Sequence, residues 1–183
     1  SDGTLLGGTA RFSVPYGEHG EFTGSMYHEP EELVDLVRRA AEQGWQVAIH
    51  TQGDWAMEQT LAAIDAAVKV AGPDPRPRIE HCGYPTPEQT RRLTDYGVIP
   101  VNQPNFLYDS GGDFLRRLGE RAHRLQPMRE ELDLGLRPVL SSDSFVSSLR
   151  PMDTVANAVR RTTREGVEIG ADQAISVHEA LRA

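Results

Sequence analysis

The most constraining feature of the chain is a short apolar segment that ends in a histidine and then turns at a glycine. The segment reads Trp45-Gln46-Val47-Ala48-Ile49-His50-Thr51-Gln52-Gly53-Asp54. It predicts a buried strand with His50 at its end, followed by a helix that Asp54 caps. Two later strand-like segments end in the same way, at His81 and near Asp143. Because parallel strands of an α/β fold end at one face, we expect these three side chains to converge.

Strand and helix patterns alternate along the rest of the chain. Strands are predicted at 45–50, 78–82, 98–102 and 137–141, and helices at 30–43, 54–68, 86–96, 114–118, 127–134, 151–161 and from 176 onward. Long loops are predicted over 1–28 and 103–112, and a rigid turn over 72–77. Strands that alternate with helices predict parallel strands with crossover helices, so the predicted fold class is α/β.

Composition restricts the possible partners. The 183 residues are enough for one domain with a core, and the formal net charge is -8. An acidic chain lacks the basic surface that nucleic acids and anionic membranes require. No apolar run approaches the roughly 20 residues that span a bilayer. The single cysteine, Cys82, excludes an internal disulfide and indicates a reducing compartment, so a cytoplasmic location is expected.

His50, His81 and Asp143 are candidate metal ligands on residue type alone. Two imidazoles and one carboxylate suit a zinc-type ion, and the carboxylate can instead serve as a base for metal-activated water. In the alternative interpretation each histidine is a hydrogen-bonded structural residue, and the spacing leaves both interpretations open.

Several other residues receive individual predictions. Gln103 and Asn105 follow the third strand, where they either contact a substrate or belong to a plain loop. Glu80 should point away from His81 and pair with a basic residue. Trp45 and Cys82 are expected to be buried. The remaining histidines are expected at the surface or at helix ends: His19, His28, His123 and His178.

Six segments, in order along nearly the whole chain, also carry a resemblance to a known family. They are Ser1-Asp2-Gly3-Thr4 with Gly8-Thr9-Ala10, His50-Thr51-Gln52-Gly53-Asp54-Trp55-Ala56, Arg78-Ile79-Glu80-His81-Cys82, Gly97-Val98-Ile99-Pro100-Val101-Asn102-Gln103-Pro104, Leu140-Ser141-Ser142-Asp143-Ser144, and Ile175-Ser176-Val177-His178-Glu179-Ala180-Leu181. Together they resemble the amidohydrolase superfamily, specifically the YtcJ-like branch of the amidohydrolase 3 family.

The resemblance implies a (β/α)8 TIM-type barrel that holds one or two divalent metals, zinc first among them. It implies that His50 and His81 end the fifth and sixth strands as ligands of the second metal. Asp143 would end the eighth strand, bind the first metal and shuttle a proton. Metal-activated water would attack an amide-like carbon, and Asp143 would pass the proton to the leaving nitrogen.

On this resemblance, residues 1–183 correspond to the C-terminal half of the barrel, strands 5 to 8 with flanking helices, and the loop 1–28 lies near the active-site mouth. The His-x-His of the first strand and the bridging residue of the fourth strand are absent. Only part of the ligand set is therefore present, and we expect this chain alone to be inactive. A half barrel also has two free strand edges, which favours self-association.

The function expected from these observations is that of a fragment of a metal-dependent amidohydrolase. Its small-molecule substrate would contain a non-peptide C–N bond, as in an N-substituted amide, a formamide or a cyclic amide. The alternatives are a nucleobase-type aminohydrolase (deaminase) on the same scaffold and a non-catalytic half-barrel fragment. Deaminases of this type carry a glutamate shortly after a strand-end histidine. Thr51-Gln52-Gly53-Asp54 follows His50, and no glutamate follows His81 before Glu88, which disfavours the deaminase.

Overall fold

The helices and strands of the chain come from a computed structural model that describes residues 1–17, 20–72 and 74–183. His19, expected at the surface, and Pro73, in the predicted turn 72–77, lie outside the described residues. The strands are β1 Ala48–His50, β2 Arg78–Glu80, β3 Ile99–Asn102 and β4 Val139–Leu140. The α-helices are α1 Pro30–Glu42, α2 Asp54–Val68, α3 Pro87–Asp95, α4 Pro104–Leu118, α5 Met128–Asp133, α6 Pro151–Arg160 and α7 Val177–Ala180.

The four strands form one parallel sheet in the order β1-β2-β3-β4. His50 pairs in register with Glu80, and Asn102 pairs with Leu140, so the strand ends lie side by side at one edge. The predicted α/β class with parallel strands and crossover helices is confirmed. Within the described residues, β1 pairs only with β2 and β4 only with β3, as in part of a barrel.

The strands are shorter than the sequence pattern predicts. Trp45 is 72% exposed, so the prediction that it lies in the core is wrong. The reason is the end of α1, where Gly44 adopts a left-handed conformation (φ 76°) and the Trp45 N–H donates to Ala40 O. This C-terminal turn keeps Trp45 in the connection, and the strand begins only at Ala48.

The main core lies between the sheet and helices α1, α2 and α3. Buried apolar residues recur every four positions along α1 because that spacing places them on one helical face. They pack against the apolar face of α2 and the outward side of β2, and Cys82 is buried among them as predicted. The members that fix this packing are Leu33, Val37, Ala41, Leu61, Ile64, Ile79 and Leu93.

The segment after β3 corrects a prediction. The pattern predicts a loop over 103–112 and a helix only from 114, but α4 runs without interruption over Pro104–Leu118. Gly111 and Gly112 disfavour a helix by intrinsic propensity. A Cβ at Gly111, however, would lie 2.7 Å from Thr163 Cγ2, so the glycine permits close packing of α4. Tertiary packing therefore outweighs propensity in this segment.

The N-terminal segment packs on α4 and forms a second core. Leu5, Phe12 and Tyr16 are buried against Leu107 and Phe114. The described part of this segment has one isolated bridge, Asp2 to Met26, and otherwise consists of turns and extended chain. The segment therefore lies over the strand ends on the side of α4.

The C-terminal helices complete the fold. Helices α5, α6 and α7 share a small third core, and a capping box, Ser176 with Glu179, begins α7 where a helix is predicted from 176 onward. The ion pair between Arg78 and Glu80, 2.8 Å long, confirms that Glu80 has a basic partner. His28 and His178 are exposed as expected. Among the described residues, no helix has the length and apolarity needed to cross a bilayer.

Candidate metal site

The ends of the strands open on a cavity of about 460 Å³. His50, His81 and Asp143 all line it, so the three residues share one cavity. The remaining lining residues come from the N-terminal segment, the start of the β1–α2 turn, α4 and the turn after β4: Thr4, Leu6, Gln52, Phe106, Asp109, Ser110, Phe114 and Val146.

The two imidazoles are adjacent and nearly perpendicular. The ring centroids of His50 and His81 are 4.5 Å apart with an interplanar angle of 73°. His50 Nε2 lies 2.9 Å from the carbonyl oxygen of Gly3, and His81 Nδ1 lies 2.9 Å from Oε1 of Gln103. Both partners are acceptors, so each of these nitrogens carries the proton. Nδ1 of His50 and Nε2 of His81 then keep their lone pairs.

This hydrogen bonding is the arrangement that metal-binding histidines use. One ring nitrogen donates to an oxygen acceptor, which fixes the tautomer, and the other nitrogen is available to a metal. Burial, together with the neighbouring His50, lowers the pKa of His81 below its usual value. A lowered pKa favours the neutral imidazole, which is the form that ligates metals.

Unusual backbone conformations mark the same strand ends. His81, Cys82 and Asp143 have φ values of 73°, 40° and 48°. Non-glycine residues in the left-handed region cost on the order of 1–3 kcal/mol each and concentrate at functional sites. Two of the three candidate ligands, His81 and Asp143, have these strained conformations.

Asp143 lies in the turn that follows β4. Its N–H donates to Ser141 Oγ at 3.1 Å, and its carbonyl accepts from the Val146 N–H at 2.7 Å. The carboxylate is close enough to His81 to oppose the lowering of that residue's pKa. These bonds hold the backbone of Asp143 at the rim of the cavity.

The donor set fits a divalent metal in part. Among the described residues, no three His, Cys, Asp or Glu side chains lie close enough together to hold a metal ion. Zinc sites use three or four protein ligands. His50 and His81 fit as two of them, with tautomers already fixed, and a complete site needs further ligands.

A buried carboxylate that the sequence pattern does not reveal lies behind His50. Asp2 is 1% exposed and accepts hydrogen bonds from the backbone N–H groups of Arg11, Gln52 and Gly53. Its Oδ1 lies 3.6 Å from His50 Nε2. Burial raises the pKa of the Asp2 carboxyl, and the three backbone donors oppose that rise. Asp2 therefore connects the N-terminal segment to the end of β1.

Asp54 does not have its predicted capping role. It is the first residue of α2, and the N-cap position is Gly53. The Asp54 carboxylate accepts one hydrogen bond from the Trp55 N–H in the first turn of α2 and two from the N–H and the hydroxyl of Ser13. Because α2 begins at Asp54, directly after the glycine at the N-cap, the carboxylate holds the N-terminal segment as well as the first turn of the helix.

Gln103 and Asn105 occupy different places. Gln103 is 1% exposed and hydrogen-bonds to His81, which favours a role in orienting that imidazole. Asn105 is also 1% exposed, does not line the cavity, and uses its amide to bind Ser147, Thr154 and Asn157. Substrate contact by these two residues stays a prediction.

The wall contributed by α4 was missed because the pattern predicts a loop there. Phe106, Ser110 and Phe114 recur every four residues, so α4 presents them on one face. The Phe106 ring stacks near His81, with centroids 6.0 Å apart. Pro104 at the first turn of α4 is the signal that identifies the helix start.

The fold and the site define a parallel α/β protein whose strand ends present two histidines and an aspartate to one cavity. The sequence model of the amidohydrolase family matches residues 1–183. The chain belongs to the amidohydrolase family, as the sequence motifs indicate.

Curated relatives support this membership. The chain is 32% identical over 161 residues to an N-substituted formamide deformylase of Arthrobacter pascens. The aligned part covers 87% of the chain and 30% of that protein. It is 27% identical over 186 residues to a putative amidohydrolase YtcJ of Bacillus subtilis (strain 168). The aligned part covers 100% of the chain and 35% of that protein. The chain therefore spans about a third of the length of these relatives.

A solved structure shows the same architecture. An uncharacterized metal-dependent hydrolase from Pyrococcus horikoshii OT3 superimposes with a TM-score of 0.86 at 29% identity. The match covers 98% of this chain and 36% of that chain. The likeness agrees with a partial barrel.

Proposed function

We propose that the chain forms the part of a metal-dependent hydrolase that binds one metal and moves the proton. The substrate class is a small molecule with a non-peptide C–N bond, such as an N-substituted amide, a formamide or a cyclic amide. The observation that carries the proposal is the His50–His81 pair, in which each ring has one nitrogen held by an oxygen acceptor and the other available.

The relatives support the class of reaction. One is described as an N-substituted formamide deformylase and another as a putative amidohydrolase. The structural relative is described as a metal-dependent hydrolase. Because the chain spans only about a third of these proteins, the activity is proposed for the complete protein rather than for residues 1–183 alone.

Each residue has a distinct part in the proposed mechanism. His50 and His81 would hold the metal, with zinc preferred because neutral imidazole nitrogens suit it. A divalent metal bound there supplies a water molecule that ionises near neutral pH. Asp143, at the rim of the same cavity, would take up the proton released in hydrolysis and pass it to the leaving nitrogen.

The cavity walls suit a small amide-like substrate. Leu6, Phe106, Phe114 and Val146 supply apolar surface, and Thr4 of the N-terminal segment reaches the same space. This position of Leu6 and Thr4 supports the proposal that the segment 1–28 lies at the mouth of the active site. The buried Cys82 agrees with a reducing compartment, and we propose a cytoplasmic location on that basis.

The alternative functions receive less support. Among the described residues that line the cavity there is no glutamate, the general acid–base group expected of a nucleobase-type deaminase. The non-catalytic fragment remains the alternative for residues 1–183 alone. Self-association through the free edges of β1 and β4 also stays a proposal.

The proposal is tested by replacing Asp143 with Asn in the complete protein. Hydrolysis of N-substituted formamides should fall by about 10²–10⁴-fold in kcat, the range expected when a proton-transfer group is lost. Asp153→Asn is the matched control, because Asp153 lies on α6 and binds Ser148 outside the cavity. Undiminished hydrolysis by the Asp143 variant, or equal losses in both variants, would refute the assigned role.

A further inference from the structure

We propose that Asp2 is a positioning residue for His50: its carboxylate holds the segment Asp2–Gly3 beneath the imidazole and thereby makes Nδ1 the metal-binding nitrogen. This inference rests on the metal site proposed above. It assigns a role to a residue that neither the strand pattern nor the candidate ligand set contains.

The first step is the geometry of the carboxylate. Asp2 Oδ2 accepts from the N–H groups of Arg11 and Gly53, each at 2.9 Å, and Oδ1 accepts from the Gln52 N–H at 3.0 Å. A carboxylate this buried persists only when its acceptor capacity is used. Asp2 therefore fixes its own segment to the two residues that follow Thr51 at the end of β1.

The second step is the close approach of the two backbones. A Cβ built on Gly53 would lie 2.0 Å from Arg11 O, and one built on Gly3 would lie 2.4 Å from Thr9 O. Only glycine fits at both places. The Gly53–Arg11 approach brings the turn after β1 into direct backbone contact with the N-terminal segment, and the Gly3–Thr9 approach packs that segment against itself next to Asp2.

The third step is the environment of His50 Nε2. The Gly3 carbonyl oxygen lies 2.9 Å from this nitrogen and Asp2 Oδ1 lies 3.6 Å from it. Both neighbours are acceptors, so the proton of a neutral imidazole stays on Nε2. A carboxylate or carbonyl behind a metal-binding histidine fixes the ring and its tautomer.

Asp54 provides a control that separates the anchoring of the N-terminal segment from the orientation of His50. Its carboxylate also holds the N-terminal segment to the start of α2, through the N–H and hydroxyl of Ser13, at 2.8 Å and 2.5 Å. Asp54 does not line the cavity or approach His50 within the contacts of the described residues. Asp54→Asn is therefore a control that weakens the same attachment without changing the groups behind the imidazole.

The test compares Asp2→Asn and Asp54→Asn in the complete protein. Asparagine has one acceptor oxygen where Asp2 uses two, so Gly3 should move and the tautomer of His50 should no longer be fixed. Zinc affinity, measured by competition with a chromophoric chelator, should fall about 10- to 100-fold in Asp2→Asn, the effect typical of losing such support. Asp54→Asn should stay within about twofold of the wild type, because it leaves the groups behind His50 in place.

A second measurement needs no variant and no metal. Nitrogen-15 NMR of the metal-free wild-type protein, labelled at histidine, should show His50 protonated at Nε2. A proton on Nδ1, unchanged zinc affinity in Asp2→Asn, or equal losses in both variants would overturn the role of Asp2. Failure of the wild-type protein to bind zinc would instead refute the metal site, and the NMR result separates the two failures.

Discussion

Glu131 should make the stability of the fold depend on pH. This carboxyl is 0% exposed on α5, and Asn102, the last residue of β3, donates to its Oε2 at 2.8 Å. The buried thiol of Cys82 is a second hydrogen-bonding neighbour of the Glu131 carboxyl. Burial raises the pKa of Glu131 to about 7, against an ordinary value of 4.5, and the Asn102 amide only partly offsets this rise.

The sign and size of the effect follow from proton binding. Between pH 4.5 and about pH 7 the folded chain keeps a proton on Glu131 that the unfolded chain has lost. The free energy of unfolding therefore decreases as the pH rises through this window. The difference in pKa corresponds to about 3 kcal/mol in the free energy of unfolding, and this whole amount is lost above pH 7.

The perturbation is Glu131→Gln, which keeps the shape and the acceptor for Asn102 but cannot ionise. The assay is urea unfolding of variant and wild type at pH 5 and at pH 8. We expect the variant to gain about 3 kcal/mol relative to the wild type between these two pH values. Glu130→Gln removes a charge that adds to the rise of the Glu131 pKa but leaves the Glu131 carboxyl in place, so the pH dependence should become smaller than in the wild type and still be clearly present. Parallel pH profiles for Glu131→Gln and wild type would refute the reasoning.

The remaining predictions concern the two glycines of α4. Gly111→Ala should destabilise the protein by about 1–2 kcal/mol, because the added Cβ meets Thr163 Cγ2 and the crowding exceeds the gain in helix propensity. Gly112→Ala should stabilise it by about 0.5–1 kcal/mol, since its Cβ would lie 3.6 Å from Glu165 Oε2, an ordinary contact. Thermal unfolding of both variants checks the pair, and a change of the same sign in both would contradict the packing argument.

The strand ends could be predicted because local sequence determines them. The apolar run before His50 and the short segment between a rigid turn and His81 indicate strands without knowledge of the rest of the chain. Parallel strands then bring these histidines to one face, and the structure places both on one cavity with Asp143. The starts of the helices predicted at 86–96 and from 176 onward are equally local, because each begins with a capping box, at Thr86 and at Ser176, that depends only on residues three positions apart.

Helix α4 could not be predicted from local propensity. Gly111 and Gly112 disfavour a helix in isolation, and the packing that requires Gly111 involves Thr163, far along the chain. Because most of α4 is predicted as a loop, the four-residue spacing of Phe106, Ser110 and Phe114 does not predict that they share one face and form a cavity wall. A long-range contact was therefore needed to find one side of the site.

The groups that contact the two histidines from behind were missed for the same physical reason. Asp2 and Gln52 are 50 residues apart in sequence, and no periodicity connects them. The hydrogen bond between Gln103 and His81 could not be predicted, because it depends on the register between β2 and β3. Local patterns can propose ligands, but the groups that orient them are set by register and packing.

The central claim is that His50 and His81 bind one metal through specified nitrogens. Anomalous diffraction at the zinc edge from crystals of the zinc-loaded complete protein tests it most directly. The account predicts an anomalous peak bonded to His50 Nδ1 and His81 Nε2, at the ordinary zinc–nitrogen distance of about 2.0–2.1 Å. A peak bonded to His50 Nε2, or no peak between the two imidazoles, would contradict the account.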